Sequence, residues 1–349
     1  MKPLIVVYYH RILPFKGYDL DLDTFAWHLD FYKKYFHVVD PEELLAMQER
    51  IDTKRASVLI TFDDGFFDNY VFAYPMLKKH GLKALIFVPT SKITDGEKRA
   101  TLEDYWQGKV TFEQLHKPHR EEKALADSLN GVLDEFVRWD ELREMRESGT
   151  FAIGSHGHMH VKIFTSDKVI GVYGLSSVHW SYPYAIGKKP QAGMPVFQMQ
   201  SSLAGRRFIV SDEFIDYSLR IYNSSADRSL SELVDMLDRY PNKGKYEESF
   251  CKRILDELEI SIKLIEENIG IKPVFLSWPW GEYSSTGKQL AKRAGFEFCF
   301  NTKKGAFLGG SLCSIGRIKA PANRGAFVRK MLLNRYTFAA KLYKWAHEK

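Results

Sequence analysis

Short apolar segments alternate along the chain with longer segments in which apolar residues recur at helical spacing. This alternation predicts βα units built around a mainly parallel sheet. Strands are predicted at residues 4–10, 38–39, 58–64, 85–89, 151–155, 274–278, 296–300 and 315–319. Helices are predicted at residues 25–32, 41–48, 68–80, 139–148, 251–269 and 286–294. Seven or eight repeats of this kind predict a (β/α) barrel of seven or eight parallel strands.

Residues that commonly begin or end helices support these predicted helices. Asp23 and Thr24 offer an N-cap for the first helix, and Pro41 opens the second. The four remaining helices are each followed by a glycine, the residue that most readily adopts the left-handed conformation of a helix C-terminus. These glycines are Gly81, Gly149, Gly270 and Gly295.

Two stretches do not follow the repeat. Residues 91–138 are polar and helix-prone, which predicts a loop insertion. Residues 161–250 are rich in Gly, Pro, Ser and Tyr, and become helical near residues 229–238. So long a segment inside a compact domain is usually functional or disordered. Its aromatic residues favour a lid or specificity insertion over the mouth of the barrel, following the histidine motif described below.

The net charge of +6 is confined to one end of the sequence. Residues 321–349 contain seven basic residues and one acidic residue, so residues 1–320 are neutral. A nucleic-acid-binding body would carry its positive charge on the main fold, so no nucleic-acid partner is predicted. Aromatic and aliphatic residues interleave with these bases, which predicts a basic amphipathic helix at 321–349. Such a helix either lies on an anionic membrane surface or packs against the barrel.

Composition narrows the class further. An apolar fraction of 45% with 27% charged residues is typical of a globular protein. Three cysteines without a CxxC pair indicate neither a disulfide framework nor a thiolate zinc site. The apolar run at residues 4–9 is shorter than a signal-peptide core, and no apolar stretch reaches 18 residues. We therefore expect a cytoplasmic location, with peripheral contact at the inner membrane face as an option.

Residues that could bind a metal or act in catalysis lie at the predicted strand ends, where barrel enzymes carry their active sites. Asp63 and Asp64 follow one strand, and Gly65 permits the tight turn that exposes both. Adjacent carboxylates repel each other, and a bound cation relieves the repulsion. One carboxylate then binds the metal while its neighbour stays free as a base. A simple turn is the alternative for this tripeptide alone.

A second motif follows the strand at residues 151–155. It contains His156, His158 and His160, and imidazoles suit Zn²⁺, Ni²⁺, Co²⁺ and Fe²⁺. His156 and His160, with one carboxylate, make a three-ligand set that leaves positions for water and substrate. A solvated loop is the alternative for any single histidine. The acidic pair on another strand end argues against it here.

A third motif surrounds a proline at the end of the strand at 274–278. Trp278, Pro279, Trp280 and Gly281 would form a rigid wall on which a sugar ring stacks. Packing in the core at a strand terminus is the alternative.

Together, residues 61–65, 155–160 and 278–281 resemble the first three motifs of the polysaccharide deacetylases (carbohydrate esterase family 4, the NodB-homology domain). Residues 9–11 (Tyr-His-Arg) and 139–142 (Trp-Asp-Glu-Leu) are most similar to the branch that contains poly-N-acetylglucosamine deacetylases. The resemblance implies a distorted (β/α) barrel over residues 1–320, apart from the two insertions.

The resemblance also implies roles for individual residues. Asp64, His156 and His160 are implied as ligands of a divalent metal, with Zn²⁺ expected ahead of Ni²⁺, Co²⁺ or Fe²⁺. Asp63 is implied as the general base. The backbone N–H of Trp280 is implied to help hold the oxyanion.

The sequence departs from the family pattern in two places. Many members carry a general-acid histidine near the C-terminus, and residues 312–319 contain none. In the branch with Tyr-His on the first strand the early histidine takes that role, so we predict His10. The third-motif arginine that braces the base is also missing, and we predict that Arg317 supplies the brace from a neighbouring strand.

These features predict a hydrolase of carbon–nitrogen bonds other than peptide bonds. Its substrate would be an N-acylated glycan, from which it removes an N-acetyl group in a polysaccharide, an oligosaccharide or a lipid-linked glycan. One alternative is a deformylase or deacetylase of a lipid-linked monosaccharide at the inner membrane face. An alternative of another class is a non-catalytic glycan-binding protein on the same scaffold.

Overall fold

The computed structural model describes residues 2–17, 19–46, 56–224 and 229–347. Its strands are β1 Leu4–Tyr9, β2 Ile12–Leu13, β3 Leu20–Asp21, β4 His37–Val38, β5 Ser57–Phe62, β6 Ala84–Val88, β7 Phe151–Ser155, β8 Lys162–Val172, β9 Pro195–Ser201, β10 Phe208–Val210, β11 Gly244–Tyr246, β12 Phe275–Ser277, β13 Phe298–Asn301, β14 Ile315–Gly316 and β15 Ile318–Lys319. Its helices are α1 Leu22–Tyr35, α2 Pro41–Ala46, α3 Tyr74–His80, α4 Leu102–Trp106, α5 Glu121–Ser128, α6 Trp139–Glu147, α7 Tyr182–Ile186, α8 Asp212–Asn223, α9 Leu230–Asp238, α10 Phe250–Ile269, α11 Ser285–Ala294, α12 Arg324–Arg335 and α13 Thr337–His347. The last two residues of the helix predicted at 41–48 lie outside the described residues.

Eight strands form the wall of the barrel, in the order β14-β13-β12-β7-β6-β5-β1-β15, and β4 joins β5 at its side. Every pairing in this path is parallel. The two ends of the path, β14 and β15, are separated in sequence only by Arg317. The chain therefore nearly closes the barrel at that residue, and the predicted parallel barrel is confirmed. The single strand predicted at 315–319 is wrong, because the chain leaves one edge there and joins the other.

The strands read as continuous apolar runs because both of their faces are buried. Leu4 and Val6 of β1 join a cluster with residues from the other strands, inside the barrel. Ile5 and Val7 of the same strand join the cluster that includes the helix residues of α1. Alternation of the side chains along a strand sends successive residues into these two layers.

The described helix boundaries differ from the predictions by at most three residues. Asp21, rather than Asp23 or Thr24, caps α1, and its carboxylate accepts a hydrogen bond of 2.8 Å from the Thr24 N–H. The helix predicted at 68–80 begins as a π-helix over Asn69–Ala73 and continues as α3, ending at Gly81 with φ of 64°.

The insertion at 91–138 contains α4 and α5 and is fixed to the barrel by Arg11. The Arg11 guanidinium is fully buried and donates hydrogen bonds to Asp68, to Glu135 and to the carbonyl of His119. Because Glu135 and His119 belong to the insertion, this network holds the segment against the carboxyl end of β1.

The segment at 161–250 folds into a small α+β unit with its own apolar cluster. Its two antiparallel pairs are β8 with β9 and β10 with β11. Phe164, Phe197, Phe214 and Leu237 belong to the cluster and are almost fully buried. This unit lies between β7 and α10 in the sequence, where a large insertion after the histidine motif was predicted.

Residues 321–347 form two helices, so the single amphipathic helix predicted at 321–349 is wrong. Tyr336 has extended backbone angles (φ −111°, ψ 131°) and separates α12 from α13. The break follows Asn334, whose buried side chain accepts a hydrogen bond from the Ala306 N–H and fixes the end of α12 to the barrel. Phe327 of α12 stacks on His28 of α1 with ring centroids 3.7 Å apart. No helix in the described part of the chain is long and apolar enough to span a bilayer.

Candidate functional site

Two carboxylates follow β5 and point to different partners. Asp63 and Asp64 are almost fully buried. Asp64 and Gly65 both adopt left-handed backbone conformations, with φ of 69° and 64°. This turn separates the two side chains, so Asp64 faces the histidine motif while Asp63 faces Arg317.

The histidine motif begins where β7 ends and is held by buried polar contacts. The Nδ1–H of His156 donates to the carbonyl of Ser277 at 2.7 Å, which leaves Nε2 free to act as a ligand. The N–H of Met159 donates to Glu257 of α10 at 3.2 Å. Burial raises the pKa of Glu257, and the hydrogen bonds that it accepts oppose this effect.

Asp64, His156 and His160 converge on one point. Asp64 Oδ1 lies 3.3 Å from His156 Nε2 and 3.0 Å from His160 Nε2, and the three ligand atoms lie within 4.8 Å of one another. Burial lowers the pKa of His160 to about 4, so its imidazole is neutral. Burial alone would raise the pKa of Asp64, but the adjacent histidines outweigh it and hold this pKa well below its usual value. Two imidazole nitrogens and one carboxylate suit a divalent transition metal.

Backbone strain is concentrated around this cluster. In the described ranges, the non-glycine residues with positive φ are Asp64, His160 and Trp280. Such conformations cost free energy and persist where the surrounding structure enforces them, often at functional sites. Two of the three belong to the candidate metal centre, and the ring of Trp280 stacks on His160 with centroids 4.4 Å apart.

Arg317 makes the contact with Asp63 that the sequence predicted. Its Nη1 donates to Asp63 Oδ1 at 2.8 Å, and its Nη2 donates to Asp63 Oδ2 at 2.6 Å. Burial would raise the pKa of Asp63, but the guanidinium outweighs it and lowers this pKa below the usual 3.8. Arg317 also donates to Thr61 Oγ1 and Ser277 Oγ, so its position is fixed from several strands. Its role as a brace stays a prediction.

His10 lies at the same end of the barrel. Its Nε2 is 4.0 Å from Asp64 Oδ2, and its Nδ1 is 3.9 Å from Glu121 Oε2. Glu121 is the first residue of α5, in the insertion at 91–138. Sequence reasoning did not identify it, because no motif or spacing marks it. Burial raises the pKa of the Glu121 carboxyl.

The residues of the third motif lie partly in the core and partly at the site. Trp278 is completely buried, in a cluster with Leu203, Ile254 and Leu276. The prediction that Trp278 stacks on a sugar is therefore wrong. Pro279 is buried too, and a side chain at Gly281 would collide with Thr302. Burial of Pro279 contradicts its predicted place in a sugar-stacking wall, whereas Gly281 is partly exposed and its place there stays a prediction. Of the four residues, Trp280 carries the partly exposed ring beside His160.

The insertion at 161–250 supplies further aromatic rings beside Trp280. Trp180 lies 6.3 Å from Trp280 and 6.5 Å from His160, measured between ring centroids. His179 packs edge-on against Trp280 at 5.3 Å, and the Lys162 ammonium lies over the same ring at 4.9 Å. The insertion was predicted to reach the barrel mouth, but no motif marks these residues, and they come to the cluster through the folding of the insertion.

The fold and the site together define a (β/α) barrel with a buried two-histidine, one-carboxylate candidate metal centre at the carboxyl ends of its strands. Residues 50–186 match the family model described as polysaccharide deacetylase. The match includes two of the three motifs that carry the family resemblance, at residues 61–65 and 155–160, and confirms the predicted family for this range.

A curated relative supports the same family. YxkH of Bacillus subtilis (strain 168), named as a polysaccharide deacetylase, is 36% identical over 88 residues. The aligned stretch is 24% of this chain and 31% of that relative, so the chain spans about a third of its length.

Solved structures share the fold over most of their length. A de-N-acetylase from Aggregatibacter actinomycetemcomitans superimposes with a TM-score of 0.59 at 18% identity, covering 93% of this chain and 98% of that one. IcaB from Ammonifex degensii gives 0.54 at 18% identity, with 94% and 96% covered. The deacetylase PplD from Streptococcus pyogenes gives 0.53 at 16% identity, with 95% and 98% covered. At these low sequence identities, the similarity shows only that the fold is shared.

Proposed function

We propose that this protein is a metal-dependent carbohydrate N-deacetylase that removes an N-acetyl group from an amino sugar within a glycan. The observation that carries the proposal is the convergence of Asp64, His156 and His160 beside the anionic Asp63. This cluster lies in a domain of the polysaccharide deacetylase family. An intact cluster of this kind disfavours a glycan-binding protein without activity.

Asp64, His156 and His160 would hold the metal ion, which we propose to be Zn²⁺. The bound ion would supply Lewis-acid polarisation of the acyl carbonyl and would lower the pKa of water. The hydrogen bond from His156 to Ser277 keeps its Nε2 lone pair directed at the cluster. His160 Nδ1 has no hydrogen-bond partner among the described residues, and stacking on Trp280 limits the rotation of its ring.

Asp63 would act as the general base. Because its pKa is lowered, it is ionised at neutral pH, and Arg317 keeps the carboxylate in one orientation. The oxygen of the attacking water bonds to the acyl carbon while a proton passes to Asp63. The carbon–nitrogen bond then breaks to give acetate and a free amine.

His10 would donate a proton to the leaving nitrogen. It is near Asp64 on one side and Glu121 on the other, at 4.0 Å and 3.9 Å. The Glu121 carboxyl group faces His10 Nδ1, which has no hydrogen-bond partner among the described residues. A contact with this carboxyl group would orient the imidazole.

Trp280 and Trp180 would form the wall against which the sugar packs. Both indoles are partly exposed and flank His160. Aromatic side chains dominate the lining of many small-molecule sites. The motifs at residues 9–11 and 139–142, with the fold shared with a de-N-acetylase, support a substrate of the poly-N-acetylglucosamine type.

A second candidate substrate is a lipid-linked amino sugar, from which the enzyme would remove a formyl or acetyl group. The exposed aromatic and basic residues of α13 favour it, because they fit work at a membrane surface. The catalytic residues would be the same, so the two candidates differ only in what the acyl sugar is attached to.

The test is an amine-release screen on N-acetyl and N-formyl sugars, free and polyprenyl-phosphate-linked, combined with metal analysis. We expect about one Zn²⁺ per chain, activity on an N-acetylated oligosaccharide, loss of activity with a chelator and recovery with Zn²⁺. Amine release only from the lipid-linked sugars would favour the second candidate substrate. A protein that binds no transition metal and releases no amine would overturn the proposal.

A further prediction concerns Glu121. Glu121→Gln removes the carboxylate near His10, and we expect kcat to fall about tenfold with KM unchanged. Glu121→Asp keeps the charge and should retain more of the rate. Glu122→Gln, at the exposed neighbouring position, is the matched control and should behave as the wild type. A Glu121→Gln enzyme with wild-type kcat would remove Glu121 from the mechanism.

A further inference from the structure

A lysine is buried near the candidate metal centre, and the proposed mechanism does not use it. Lys92 ends the short 3₁₀ helix Thr90–Lys92, which follows β6, and it is 3% exposed. The Thr90 N–H donates a hydrogen bond of 3.2 Å to the carbonyl of Gly157, in the loop that carries the candidate ligand histidines. Lys92 therefore belongs to a turn that is attached to the histidine motif.

The Lys92 ammonium is surrounded by a hydroxyl group and two aromatic rings. Its Nζ donates a hydrogen bond of 2.6 Å to Ser128 Oγ, at the end of α5. It also lies 5.5 Å from the ring centroid of Phe136 and 5.5 Å from that of Trp180. Within the described ranges, no carboxylate lies within ion-pair distance of this ammonium. Burying a charge is costly unless it is stabilised, and the faces of aromatic rings stabilise a cation.

These contacts link the two insertions at the barrel mouth. Ser128 and Phe136 belong to the insertion at 91–138, and Trp180 belongs to the insertion at 161–250. Trp180 lies between β8 and α7, in a segment that is neither helix nor strand. The orientation of its ring therefore depends on contacts with neighbouring side chains, and the Lys92 ammonium is one of them.

The Trp180 ring is placed to meet a substrate at the candidate metal centre. It is partly exposed, and its plane lies within 10° of that of the His160 ring, with 6.5 Å between the centroids. Immobilising a side chain on binding costs free energy, so a contact that holds the ring beforehand strengthens binding. Such a contact acts on the bound substrate and the transition state alike, so its loss raises KM more than it lowers kcat.

We propose that Lys92 is a positioning residue for substrate binding, whose ammonium, hydrogen-bonded to Ser128, holds the Trp180 ring in the orientation that receives the sugar. The proposal rests on the proposed function, in which Trp180 belongs to the wall against which the sugar packs. Lys92 acts through that ring and takes no part in proton transfer. Without the ammonium the ring gains freedom, and the glycan binds less tightly.

The test is a double-mutant cycle between Lys92 and Trp180, measured by titration calorimetry as the Kd of an N-acetylglucosamine oligosaccharide. The full chain, with Zn²⁺ added, carries Asp63→Asn throughout, so that the sugar is not consumed. Lys92→Met should raise Kd about three- to tenfold, as expected for loss of a buried cation–π contact. Trp180→Leu should raise Kd at least as much, and Lys92→Met should add nothing further in that variant.

Two further variants separate this role from an effect on folding. Ser128→Ala removes the acceptor that fixes the ammonium, and it should raise Kd in the same direction even where Lys92→Met does not fold. Lys123→Met removes an exposed lysine of α5 and is the matched control, which should bind as the parent chain does. With Asp63 restored, Lys92→Met should raise KM by a larger factor than it lowers kcat.

Three results would overturn the role of Lys92. They are a Lys92→Met chain that binds as the parent does, an equal increase in Kd with and without Trp180, and a parent chain that binds no oligosaccharide. A chain that binds the oligosaccharide but releases no amine would overturn the proposed catalysis instead. The cycle would still decide the role of Lys92 in that case, because it measures binding without turnover.

Discussion

Asp63→Asn should lower the rate of acetate release by about 10²- to 10⁴-fold, the usual contribution of a general base. The amide cannot accept the proton of the attacking water, whereas the ligand set of Asp64, His156 and His160 is unchanged. We therefore expect the variant to bind metal as the wild type does. The measurement is acetate release under saturating substrate, with metal content determined on the same sample.

Asp64→Asn is the informative counterpart, because it alters the adjacent carboxylate. It should lose metal affinity as well as activity, since Asp64 lies within 3.3 Å of both ligand histidines. Asp63→Asn leaves the buried Arg317 without a charged partner, so its melting temperature must be measured alongside. A folded Asp63→Asn protein with bound metal and full activity would exclude Asp63 as the base.

Arg317→Met should destabilise the fold by about 3–5 kcal/mol, the usual cost of leaving one partner of a buried ion pair uncompensated. Arg317 is almost fully buried, and Asp63 would lose both charge-assisted hydrogen bonds. The measurement is urea unfolding of the metal-free protein. Asp63→Asn/Arg317→Met removes both charges and should be more stable than Arg317→Met alone.

The loss of stability caused by Arg317→Met should also depend on pH. In the wild type the folded-state pKa of Asp63 is below 3.8, so its stabilising contribution is present above that value and lost as pH falls through the folded-state pKa. Without the guanidinium, burial raises the folded-state pKa, and stability is lost as pH rises through it. The gap between the two proteins should widen from pH about 4 to pH about 7. A constant gap would contradict this account of the pair.

The strand ends were predictable from the sequence because local signals mark them. A buried strand followed by Asp63, Asp64 and Gly65 identifies a turn that exposes carboxylates, and the strand at 151–155 has the predicted bounds. The sequence wrongly placed Trp278 in the sugar-stacking wall with Trp280, because the two residues are close together in the third motif. Near a strand end, residues two apart do not necessarily share surroundings. The left-handed turn at Trp280 takes its ring to the site while Trp278 stays in the core.

Contacts that depend on closure of the barrel were not predictable from local signals. Arg317 and Asp63 are 254 residues apart, and their contact was predicted only through the family resemblance, in which an arginine braces the base. They meet because Arg317 separates the two strands at the ends of the sheet. Glu121 reaches His10 through an insertion whose sequence carries no motif. Trp180 reaches His160 in the same way, from the second insertion.

The sequence by itself determined the barrel class, the family, the residues of the candidate metal centre and the confinement of net charge to residues 321–349. Each of these depends on residue types and spacings within short segments. The tertiary structure decided which tryptophan lines the site, which residues of the two insertions reach it, and which face of α13 points outward. Those outcomes depend on packing between segments distant in the sequence, and burial in the folded barrel selects among the alternatives that the local pattern leaves open.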